Sequence, residues 1–262
     1  MPIENKLALF ASQTHGQYSP FDQDAYMRKN HWVSDNPRNL AGAWIGSFRL
    51  PWMNKELYGL RGVCLGLSAA YLVKGHNWST FKQYLDSPEC HRLTLGIMNY
   101  QEQYGEISLA RKVAAEQAKS QATAQNGASA VSNPKKIAVP KQIEYVTTAD
   151  AIKLLVKVQG NINFISRIEL SPVEDVEERI EALMKQIDSN FGYQLSIRGG
   201  GSGHSVSLTT GQKRIKFFDS NFGEISYPDT EVGRESFKSY LCFIFNEVYK
   251  KFNIIIISRF TY

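Results

Sequence analysis

Long apolar runs are missing from this chain, and so are paired cysteines and any dense block of basic residues. No apolar stretch approaches the roughly 18–20 residues needed to cross a bilayer as a helix. The opening MPIENKLALF has no basic segment running into an apolar core of about 7–15 residues, so no conventional secretory signal is expected. Signals read by specialised secretion machines carry no such physical signature. The three cysteines, Cys64, Cys90 and Cys242, are odd in number and show no CxxC spacing. That argues against a disulfide framework and against a zinc site, and it fits a reducing compartment. Neither a metal nor an organic cofactor is expected. The formal charge of +5 favours acidic partners such as an anionic membrane surface. No nucleic-acid-reading motif is present, so nucleic acid is not an expected partner.

What the sequence does hold is a core. Of its 262 residues, 43% are apolar and 21% charged, enough for one catalytic-size domain over 1–262 and too hydrophobic for a disordered chain. Residues 1–50 are polar and aromatic with little periodicity, and read as loops and short elements. Leu65–Val73 reads as a helix that is apolar nearly all round, hence buried, with Gly62 in the turn before it and Gly75 after it. Trp78–Leu85 and Leu93–Tyr104 read as further helices. Composition then shifts to Ala, Gln and Ser, and 110–136 reads as a surface arm or mobile insertion. It is either a solvated spacer or a segment for substrate recognition or self-cleavage.

Ser171-Pro172-Val173-Glu174 matches a capping box with proline at the first helical position. Val173, Val176, Ile180, Leu183 and Ile187 follow at helical spacing. Beyond them the period becomes two. Tyr193–Arg198, Ser202–Thr209, Arg214–Asp219 and Ile254–Phe260 read as strands, with a helix over Phe237–Lys250. Helices gathered early and strands gathered late predict an α+β fold.

Thr210-Gly211-Gln212-Lys213 separates two of the strands, and Gly-X suits a type II′ turn. With Gly211 and Gln212 central, Leu208 faces Ile215, Val206 faces Phe217 and His204 faces Asp219. Opposed Cβ atoms lie about 4.5–5.5 Å apart, so the imidazole reaches the carboxylate. A purely structural hydrogen bond is the other reading of that pair. Gly199, Gly200, Gly201 and Gly203 clear the approach to His204, as glycine does where a ligand or another backbone comes close. Asn221 competes with Asp219 as the orienting residue, although Asn221-Phe222-Gly223 reads better as a turn.

A His–carboxylate pair becomes catalytic beside a nucleophile. Cys64 begins the buried helix, where the positive end of the helix dipole favours a thiolate. The bland alternative is a small apolar core residue. Cys90, beside His91, lacks a third member, Cys242 sits in an apolar helix, and His15, His31 and His76 have no identifiable partner.

GVCLGLSAAYL, GHSVSL and FFDSNFGE, in that order, resemble the YopT/AvrPphB-type cysteine protease effectors. The resemblance implies a papain-like fold. It makes Cys64 the nucleophile, His204 the general acid–base and Asp219 the orienting acid. It also implies a bacterial effector delivered into a host cell to cut a host protein, such as a small GTPase or a kinase. One departure stands out. Papain-like enzymes often carry Gln or Asn about five or six residues before the cysteine as an oxyanion donor, and here those places hold Gly59 and Tyr58, with Asn54 farther off. The same triad also serves an acyltransferase, a transglutaminase or a deamidase, and a non-catalytic binding module is the reading outside enzymology.

Overall fold

The computed structural model describes residues 1–30, 46–49, 56–59, 63–74, 77–94, 97, 162–199 and 202–261. The arm expected at 110–136, the glycines Gly62, Gly75, Gly200 and Gly201, and most of the helix expected over 93–104 lie outside them. The elements run α1 (Ile3–Gln13), β1 (Gln17–Pro20), α2 (Gln23–Lys29), β2 (Gly46–Arg49), β3 (Glu56–Gly59), α3 (Cys64–Lys74) and α4 (Trp78–Leu85). They continue with β4 (Asn163–Glu169), α5 (Val176–Met184), β5 (Gly192–Gly199), β6 (Ser202–Gly211), β7 (Arg214–Asp219), β8 (Gly223–Pro228), α6 (Glu231–Glu247) and β9 (Ile254–Thr261). This is an α+β fold.

Its centre is a seven-stranded antiparallel sheet in the order β1-β8-β7-β6-β5-β9-β4. β2 and β3 form a separate two-stranded ladder. Side chains alternate across a strand, so the sheet has two buried faces. One carries Leu195, Val206, Leu208, Phe217 and Ile225 against α1, α5 and α6. The other carries Phe218 and Phe260 against α3 and α4. As its composition implies, α3 is buried on every side from Leu65 to Val73.

The structure corrects several expectations. Residues 3–13, in the stretch expected to hold loops and short elements, form the 11-residue helix α1, whose Leu7 and Ala11 lie one turn apart and pack into the core. That apolar stripe is too narrow to stand out of a polar segment. The cap of α5 is Asp175, whose side chain accepts from Glu178 N, so the capping box at Ser171 is not the helix start. α6 begins earlier than expected, capped by Thr230, and ends at Glu247.

The register of the β6–β7 hairpin also differs. Gly211 pairs with Arg214 and Val206 with Asp219. Gln212 and Lys213, at φ 50° and 61°, form the turn. Two left-handed central residues make it type I′, in place of the type II′ turn that Gly-X suggests. The ladder is thus displaced by two residues from the expected pairing. An even displacement keeps every side chain on its face. His204 therefore stays on Asp219's face but becomes its diagonal neighbour.

Two glycines are fixed by close backbone approach. A Cβ on Gly199 would lie 2.2 Å from the carbonyl oxygen of Lys251, so what comes close there is the chain entering β9, not a ligand. A Cβ on Gly223, at φ +118°, would lie 2.1 Å from the carbonyl oxygen of Ser19 in β1. We expect Gly223→Ala to destabilise the protein by at least about 1–3 kcal/mol, measured by urea unfolding. Wild-type stability in that variant would refute the close packing of β1 on β8.

Candidate active site

Three segments far apart in sequence converge at one end of the sheet. Cys64 is the first residue of α3 and is half-buried. The first helical bond runs from Leu67 N to Val63 O, so the N–H groups before it have no acceptor within the helix. They place the positive end of the dipole at the thiol. Ser68, one turn on, fixes the helix over β6: its hydroxyl donates to Ser205 O at 2.9 Å, and Ser207 Oγ donates to Ser68 O at 2.7 Å. Residues four apart share a helix face, so this reciprocal clasp also sets Cys64 against β6. There the sulfur comes close to the Ser205 N–H and the His204 ring.

His204 Nε2 lies 2.8 Å from Asp219 Oδ1, with the imidazole side chain 9% and the carboxylate 1% exposed. Diagonal partners on adjacent strands are farther apart than opposed ones, and the far nitrogen of the ring is the one that spans the gap. Nδ1, nearer the backbone, is left for the thiol. The two-residue displacement of the ladder thus decides which nitrogen serves which partner.

Asp219 ends β7 and is fully buried. Its Oδ1 also accepts from Asn221 N at 2.9 Å. Its Oδ2 accepts from the hydroxyl of Tyr249, whose ring stacks on His204 with centroids 5.4 Å apart and planes 25° from parallel. Asn221 therefore contributes its backbone to the carboxylate, and its side chain lies by the Tyr249 hydroxyl. It does not take the imidazole. Sequence reasoning missed Ser68 and Tyr249. A serine inside an apolar helix hints at the first. A tyrosine just past a helix end gives no hint of the second.

The electrostatics couple these groups. Burial opposes a charged His204 ring, but the charge and hydrogen bond of Asp219, joined by the sulfur of Cys64, outweigh it and push the imidazole up to about 10. Burial likewise pushes the Cys64 thiol up. The hydrogen bond and charge of His204, with the Ser205 N–H, overcome that and bring it below the ordinary thiol value. Both shifts favour an imidazolium–thiolate pair at neutral pH. By contrast, burial drives Cys90 up to about 12 and raises Cys242. We expect iodoacetamide to alkylate Cys64 at pH 6, with Cys90 and Cys242 unreacted. His204→Ala should move the Cys64 profile up to the ordinary thiol range or beyond. Peptide mass mapping across pH checks this, and equal reactivity of the three thiols at pH 6 would refute the pairing.

The remaining candidates separate from this cluster. Cys90 is fully buried, with Sγ 3.9 Å from Thr94 Oγ1, in the cluster that packs α3 and α4. His15 sits in the turn after α1, and His31 and His76 lie outside the described residues, as does Asn54. Tyr58 and Gly59 belong to the β2–β3 ladder, opposite Ser47 and Gly46. Among the described residues, no group of three or more His, Cys, Asp or Glu is placed to hold a metal ion. None of the described helices is long and apolar enough to cross a membrane.

A helix-terminal thiol beside a histidine and a buried carboxylate on an antiparallel sheet is the arrangement of a cysteine protease. The peptidase family model described as "Yersinia/Haemophilus virulence surface antigen" matches residues 21–253. The chain belongs to this family, the YopT/AvrPphB-type cysteine protease effectors. Among solved structures, the Pseudomonas avirulence protein AvrPphB is similar with a TM-score of 0.49 at 12% identity, over 76% of this chain and 92% of that one. No curated protein matches.

Proposed function

We propose that Cys64, His204 and Asp219 are the catalytic triad of a papain-like protease that cleaves a host protein after delivery by a specialised bacterial secretion system. The observation that carries this reading is the buried His204–Asp219 pair, 2.8 Å apart, brought beside the thiol that opens α3. The thiolate attacks the scissile carbonyl carbon, forming a C–S bond and an oxyanion beside the N–H groups of the first turn of α3. His204 then gives its Nδ1 proton to the leaving nitrogen as the C–N bond breaks. Water attacks the resulting thioester, His204 takes a proton back, and the C–S bond breaks to restore the thiolate. Asp219 keeps the ring oriented throughout and stabilises its charged form before and after the acyl-enzyme.

The acceptor in the second half-reaction defines the product. A lysine amine gives acyl transfer, and a glutamine side chain as donor gives deamidation. Incubating host-cell lysate with wild type or with Cys64→Ala, followed by peptide mass spectrometry, separates these outcomes. New protein N-termini made only by wild type support proteolysis. Acylated or deamidated targets would replace it with the matching transfer, and identical peptide sets would overturn thiol chemistry altogether. Small GTPases and kinases are the first substrates to test, including those on anionic membranes, which the net charge of +5 favours.

A further inference from the structure

We propose that Tyr249 is a positioning residue of this site: its ring holds the plane of the His204 imidazole and its hydroxyl holds Asp219, keeping His204 Nδ1 on Cys64. The inference rests on the triad reading above and adds a fourth side chain to it. Tyr249 lies between α6 and β9 and is 3% exposed. Its own backbone is pinned, with N bonded to Ile244 O at 3.3 Å and O accepting from Phe252 N at 2.8 Å. Phe245 meets its ring edge-on and Phe252 packs at a tilt, both with centroids 5.7 Å away. The ring is therefore a fixed wall.

That wall supplies what the hairpin alone does not. The torsion that turns an imidazole about its stem is broad, and a half-turn would exchange the two nitrogens. The stack on His204 and the bond to Asp219 Oδ1 together block that turn. The carboxylate must in turn be held from rotating. Asn221 N and His204 Nε2 share Oδ1, and the Tyr249 hydroxyl takes Oδ2. Three donors on its two oxygens fix the carboxylate's orientation against the His204 ring.

The surroundings leave the titration simple. The ionisable groups facing Asp219 and Tyr249 are Cys64 from α3, His204 from β6, Tyr18 from β1 and Tyr240 from α6. Burial, then neighbouring negative charge including that of Asp219, pushes Tyr18 up to about 12 and Tyr240 well above the ordinary phenol value. Both stay neutral over the working range. Burial and Asp219 raise Tyr249 itself in the same way, so it donates and does not ionise. Among these groups, Cys64 and His204 are the coupled pair whose shifts set the profile.

Tyr249→Phe tests the hydroxyl with the ring retained. The readout is the pH profile of Cys64 alkylation by iodoacetamide, which needs no substrate. Without the hydroxyl, Asp219 turns more freely and its charge is less satisfied, and both changes weaken the support for the thiolate. The acid limb should move up by about half a pH unit or more, because a hydrogen bond to a charged group is worth on the order of one unit. Tyr249→Leu, which also loses the stack, should move it farther. In an Asp219→Asn background, Tyr249→Phe should add almost nothing, since it acts through that carboxylate. A wild-type profile in Tyr249→Phe, or a full independent shift in the Asp219→Asn background, overturns the inference and leaves the triad standing. An ordinary thiol profile in the wild-type protein overturns the triad reading and this inference with it.

Discussion

Exchanging Cys64 for alanine is expected to abolish cleavage while leaving the folded protein in place. Where the nucleophile of a catalytic triad is deleted, the loss is about 10⁶ in turnover, because no neighbouring group can form the covalent intermediate. Here the sulfur opens α3 and is only half-buried, so its removal takes little from the core. The Ser68 clasp to Ser205 and Ser207 still docks the helix. Stability should therefore fall by no more than about 1 kcal/mol, as for other partly exposed truncations. Cys64→Ser should be almost as inactive, since a hydroxyl is not ionised by the partner that ionises a thiol. Cleavage rates and thermal unfolding on the same preparations check both statements. Activity within tenfold of wild type in Cys64→Ala would exclude this sulfur as the nucleophile.

The second large effect belongs to Asp219 and separates charge from shape. Asp219→Asn keeps the volume but removes the negative charge that sustains His204. With burial then unopposed, the ring falls to its ordinary value or below and is neutral at pH 7. The thiol loses its cationic partner and rises. In triads the matching exchange costs about 10⁴ in turnover, and a similar loss is expected here, together with the loss of Cys64 alkylation at pH 6. Asp219→Ala is worse for the fold. It leaves the His204 Nε2, the Asn221 N–H and the Tyr249 hydroxyl without their shared acceptor in a closed interior. Breaking a buried charged pair in this way costs about 3–5 kcal/mol, which denaturant unfolding would register. If Asp219→Asn kept wild-type turnover and an unchanged alkylation profile, the carboxylate would have no part in the chemistry.

The sequence was informative where one pattern had one physical outcome. An apolar helix with cysteine at its start could only be buried, and α3 is. Alternation placed His204 and Asp219 on one face, and they lie there. The turn was less legible, because Gly211 is a strong cue and the residues that bend, Gln212 and Lys213, are poor ones. Left-handed conformations at such residues cost free energy and are imposed by the ladders on either side. The strands β1, β4 and β8 escaped notice for a related reason. Their residues are short or mixed in polarity, and they pair because the sheet offers an edge or a gap, a fact no local window contains. Tyr249 escaped because its role depends on where a helix ends and which ring it then meets.

The strand order has a bearing on when this protein can act. β9 is the last strand of the described chain, yet it lies inside the sheet, between β5 and β4. A ribosome that has passed Asp219 has already made the sulfur, the imidazole and the carboxylate, but neither Tyr249 nor the strand that closes the sheet behind them. The site therefore cannot be aligned until Tyr249 and β9 have been made and packed. A chain not yet folded through β9 carries its thiol, imidazole and carboxylate without the means to align them.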